Sequence, residues 1–83
     1  MAITTRIHRT RTSSREIMEI VIVDGAEVGF VTKYRDSAEE THPWKSFSGI
    51  GMKARFDGWF FKKDGGKRGA ISAVVDQHFY RES

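Results

Sequence analysis

The chain has 83 residues and no Cys, is 39% hydrophobic and 30% charged, and sets 14 basic against 11 acidic side chains for a formal net charge of +3. That composition excludes intrinsic disorder, disulfide or thiolate chemistry and sulfur-ligated zinc, and a chain this short buries only about 60% of its unfolded surface around one thin core. No apolar run reaches the roughly 18 residues of a membrane span and the first residues lack a leader-like apolar stretch, so a soluble cytoplasmic protein is expected.

Residues 1–15 form a basic N-terminal segment in which Ile3, Thr5 and Ile7 alternate with Thr4, Arg6 and His8. The alternation predicts an edge strand with a basic outer face, followed by a connection at Thr12-Ser13-Ser14. Residues 16–35 hold two β-branched runs around Asp24-Gly25 and predict a β-hairpin. A two-residue turn splits the apolar side chains over both faces. A three-residue loop, Val23-Asp24-Gly25, pairs Ile22 with Ala26, Ile20 with Val28 and Met18 with Phe30, gathering them on one face, and is the register expected. The other face, with Ile17, Glu19, Val21, Glu27, Gly29, Val31 and Lys33, is then half polar and partly wet.

Residues 36–43 read as a loop, where Ser37 and Glu40 have capping-box spacing and Pro43 limits any helix to about one turn. Residues 44–63 return to strand composition, with Met52, Ala54 and Phe56 alternating against Lys53, Arg55 and Asp57, and with Gly58 to Lys62 as a further strand or a continuation past a bulge. Lys63-Asp64-Gly65-Gly66 is a turn. Residues 67–80 predict a helix that places Ile71, Val74, Val75, His78 and Phe79 on one side. The expected fold is a single α+β domain, an antiparallel meander of three to five strands with the C-terminal helix packed on one face.

Charge is distributed unevenly. Residues 1–15 sum to +4, 16–44 to −5, 45–68 to +5 and 69–83 to −1. Lys62, Lys63, Lys67 and Arg68 flank two glycines just before the helix, where free backbone N–H groups and the positive end of the helix dipole favour a phosphate. It is no nucleotide P-loop, since that motif needs Gly where Phe61 stands and Ser or Thr where Arg68 stands.

Gly65, Gly66, Lys67 and Arg68, with Ala70, Ala73 and Val74 after them, resemble the Gly- and Lys-rich turn and Ala-rich helix of double-stranded-RNA-binding domains over about the last 20 residues. That family also begins with a helix, which the extended residues 1–15 do not supply. The layout further looks like the small sheet-plus-helix DNA-binding domains of phage integrases, and the whole resembles the short Cys-free orphan proteins of phages and mobile elements. The first two resemblances imply a nucleic-acid partner, and the third fits an inhibitor of phage or mobile-element type.

Trp44, Phe47, Phe56, Trp59, Phe60 and Phe61 lie among Lys45, Lys53, Arg55, Lys62 and Lys63. Exposed rings among cations stack bases while the cations hold phosphates. Most of these rings must still build the core, and Trp44 and Trp59 are the candidates for stacking or partner contact. His8, His42 and His78 lack ligand spacing, so no metal or cofactor is expected; Glu39-Glu40 and the serines form no catalytic constellation, so no enzyme is expected.

The function expected is a binding module for nucleic acid through Arg6, Arg9, Arg11, Lys62, Lys63, Lys67 and Arg68, provided that these cations converge beside an uncovered ring. The alternative is an inhibitor or adaptor of a host protein, acting through a sheet edge, the 36–43 loop and a surface aromatic. A homodimer through sheet edges is compatible with either.

Overall fold

The computed structural model describes residues 1–8, 16–34, 38 and 41–82, with side chains to residue 81. Five strands, β1 (Ile3–His8), β2 (Glu16–Val23), β3 (Ala26–Tyr34), β4 (Trp44–Ser48) and β5 (Arg55–Phe60), are followed by the helix α1 (Gly66–Glu82). The sheet is an antiparallel meander in the order β1-β2-β3-β4-β5, so β1 and β5 are its edges. This is the expected α+β meander with its C-terminal helix. The proposed Ser37–Glu40 capping box, the Thr12–Ser14 connection and the cations Arg9 and Arg11 lie outside the described residues.

The hairpin register differs from the expected one. Asp24 and Gly25 have φ of 50° and 85° and form a two-residue turn of the mirror-image type that matches strand twist, with Val23 opposite Ala26. One residue later Val28 is inserted as a bulge, so that Ile22 faces Glu27 while Val21 faces Gly29 and Ile20 faces Phe30. The extra residue restores the segregation that a plain two-residue turn loses, and it places Val28 in the core.

The helix covers the face expected to be wet. Val21, Val23, Val28, Val31 and Trp44 meet Ala70, Val74 and Val75 of α1, with Phe60 and Ile71 at the margin. Seating the helix there requires small side chains beneath it, and β3, β4 and β5 supply Gly29, Ser46, Ser48 and Gly58 in register. A Cβ on Gly29 would collide with the Phe47 carbonyl oxygen and a Val74 methyl group. Rings such as Phe30 and Phe47 would hold the helix away, and they occupy the other face.

Two further expectations change. Residues 51–53 form a 3₁₀ turn instead of continuing an alternating strand, and the second bulge falls at Asp57, whose carboxylate accepts from the Ser48 hydroxyl. Phe79, placed on the packed side of the helix by its spacing, is exposed, while His78 is half-buried.

Candidate nucleic-acid interface

Side chains alternate across a strand, so the residues that do not face the helix form a second, uncovered surface. Arg6, Ile20, Phe30, Phe47 and Phe56 run across it from β1 to β5, one from each strand. Phe30 stacks on Phe47 at 4.7 Å between centroids, Phe47 meets Phe56 edge-on at 5.5 Å, and Phe56 meets Trp59 edge-on at 5.1 Å. Phe30 and Phe47 are half-covered by their neighbours, whereas Phe56 and Trp59, on the edge strand, are 47% and 55% exposed. Trp59, of the two tryptophans, is therefore the exposed one. Phe60, next in sequence, turns to the helix side and packs on the core.

Trp44 is the opposite case. It is 5% exposed and lies in the core, with the Lys33 and Lys67 ammonium groups 5.9 and 5.8 Å from its ring. It is an anchor of the fold.

The cations fall into two groups. Arg6 pairs with Glu27, Lys45 with Glu16 at 2.9 Å, and Lys67 with Glu19 at 2.9 Å. Lys45 also lies 5.7 Å from the Tyr34 ring and 5.9 Å from the Trp59 ring, between these two exposed aromatics. Arg6 and Lys67 are on opposite sides of the sheet, because their neighbours Ile20 and Glu19 are successive residues of β2. The expected convergence of the N-terminal and helix-proximal cations is thus not the arrangement found for these two.

The helix start is also closed in part. Gly66 is buried and donates its N–H to the Phe61 carbonyl at 3.0 Å, and Lys67 reaches inward to Glu19. Lys62 and Lys63 lie in the preceding 3₁₀ turn, with Lys63 6.0 Å from the Phe61 ring, and Arg68 is exposed on the first helical turn.

The second group emerges by following the acids. Glu16, Glu19 and Glu27 serve the three ion pairs, while Asp24, Asp57 and Asp64 accept from the Ala2 N–H, the Ser48 hydroxyl and the Phe61 N–H. Among the described residues, Lys53, Arg55, Lys63, Arg68 and Arg81 have no carboxylate partner. Lys53 and Arg55 adjoin the start of β5, and Lys63 follows its end. The half-exposed Phe56 and Trp59 lie between them. The sequence places Phe56, Lys53 and Arg55 in the interleaved aromatic and basic cluster, but of the rings and unopposed cations along β5 only Trp59 and Lys63 are expected as contact residues; the interruption at residues 51–53 is what turns the others into a rim.

His42 packs edge-on against Tyr34 and His78 against Phe79, and among the described residues no three His, Asp or Glu side chains are grouped to hold a metal. Within the same residues no helix is long and apolar enough to cross a membrane. No protein-family model matches this chain, and neither a curated protein nor a solved structure shows significant similarity to it.

Proposed function

We propose that the protein is a non-enzymatic module that binds single-stranded nucleic acid along the β5 edge of its open sheet face. The observation that carries this reading is the pairing, on one edge strand, of two half-exposed rings with cations at both ends that no carboxylate opposes among the described residues. Phe56 and Trp59 offer faces on which unpaired bases stack, each worth about 1–3 kcal/mol and tolerant of sequence. Lys53, Arg55 and Lys63 take phosphates along a strand of six residues, about 20 Å. Duplexes are disfavoured, because their bases are already stacked and the rings project singly from an edge.

Fluorescence anisotropy with labelled single- and double-stranded oligonucleotides at several salt concentrations tests this. Three neutralised phosphates give a slope of log K against log salt of about −2 for a single strand. A second reading, an adaptor of a host protein, is favoured by the Arg6–Glu27 and Lys45–Glu16 pairs, which leave the centre of the open face without excess charge. It predicts a stoichiometric protein complex that survives high salt and nuclease treatment, with no oligonucleotide binding.

A further inference from the structure

Lys53, Arg55 and Arg81 line one surface concavity of about 660 Å³, together with Met52 and Ala54. The three cations come from the 3₁₀ turn, the first residue of β5 and the last turn of α1, so 26 positions separate Arg55 from Arg81 in sequence (81 − 55) and the fold alone unites them. Among the described residues no carboxylate lines the concavity, and none of the three has a partner. At Arg6, Lys45 and Lys67, three cations drawn onto the sheet faces, a glutamate is supplied. Here three like charges line one hollow with no opposing carboxylate among the described residues.

The negative end of the helix dipole accounts for a cation at Arg81. It does not account for Lys53 and Arg55, which belong to the other elements. Three cationic residues lining one hollow, two of them with planar guanidinium forks, suit a phosphate-type anion: guanidinium donates in pairs to phosphate oxygens, and a diphosphate or successive phosphodiesters carry the several charges that oppose three cations, where a lone carboxylate carries one. Ala54, as the small lining residue, leaves room for such a group.

We infer that Lys53, Arg55 and Arg81 form a phosphate-binding site, occupied either by a phosphodiester of a bound strand or by a free diphosphate-type anion. The strand form rests on the proposed nucleic-acid function, since Arg55 precedes the stacking residue Phe56. The free-anion form does not.

The test is a titration followed by amide chemical shifts, with inorganic pyrophosphate in one arm and an oligothymidylate lacking terminal phosphates in the other. Wild type is compared with the double variant Arg55→Gln/Arg81→Gln, whose changes are on exposed side chains and leave the thermal melt unchanged. Pyrophosphate is expected to shift the amides of residues 53–55 and 81 in wild type and to bind at least tenfold more weakly to the double variant. Sites that respond to pyrophosphate without any response to the oligonucleotide support the phosphate site and overturn the stacking function. An oligonucleotide bound equally by both proteins, with no shift from pyrophosphate at residues 53–55 and 81, overturns the phosphate site and leaves the stacking function standing. Equal pyrophosphate affinity in the two proteins also overturns it.

Discussion

Lys67 Nζ lies 2.9 Å from Glu19 Oε2 and 5.8 Å from the centre of the Trp44 ring, fastening the first turn of α1 to β2 and β4 at once. Glu19 is 7% exposed and its other oxygen accepts from the Thr5 hydroxyl at 3.1 Å, so one carboxylate also reaches β1. A lysine that reads in sequence as part of an open phosphate grip is in the fold a tie between the helix and three strands.

Removing that tie is expected to weaken the fold more than the affinity for nucleic acid. Lys67→Met should cost about 1 kcal/mol, below the value for a fully buried pair because the lysine side chain is 44% exposed. Urea denaturation of Lys67→Met, Glu19→Gln and the double variant measures it; additive single effects would show that the two groups are not coupled.

The two tryptophans should separate stability from binding. Trp44→Ala removes a buried core ring and is expected to cost about 3–5 kcal/mol, enough to unfold much of so small a protein. Trp59→Ala should leave a cooperative melt within about 1 kcal/mol of wild type while weakening oligonucleotide binding. Thermal melts followed by circular dichroism, paired with anisotropy titrations, distinguish them; a Trp59→Ala variant that unfolds would assign that ring to the fold.

Much of the fold is legible in the sequence because it depends on periodicity. Alternation in Ile3–His8, the β-branched runs around Asp24-Gly25, and the spacing of Val74 and Val75 each specify an element. Periodicity does not encode an inserted residue. The bulge at Val28 is invisible to a rule that counts in twos, and without it a longer loop is the simplest way to keep apolar side chains together. The choice of helix-bearing face escapes the same rule, which weighs hydrophobicity and not size: Gly29, Ser46, Ser48 and Gly58 decide the matter by letting the helix approach. The meeting of Arg55 with Arg81 depends on the length of α1 and the order of the strands, which no local pattern contains.

Close approach at Gly29 gives a sharp prediction. Gly29→Ala must push both the Phe47 backbone and Val74 aside, and overpacking of this kind costs about 1–3 kcal/mol or more. A melting temperature equal to wild type would show that the helix sits farther from β3.

Ser46 makes the converse case. It is fully buried beneath the helix and its hydroxyl has no hydrogen-bond partner, so it carries a desolvation cost with no compensating bond. Ser46→Ala is expected to be neutral or to stabilise by up to about 1 kcal/mol in urea denaturation. A loss of more than that would reveal a bond made by the hydroxyl.

Binding along the β5 edge depends on a base meeting the Trp59 ring, and intrinsic tryptophan fluorescence reports that contact. Adding single-stranded oligothymidylate at low salt should quench the wild-type emission in a saturable manner, and the quench should vanish in Trp59→Phe, where buried Trp44 is the sole emitter. Emission that stays constant through saturating oligonucleotide, or a quench that persists in Trp59→Phe, would contradict stacking on the β5 edge.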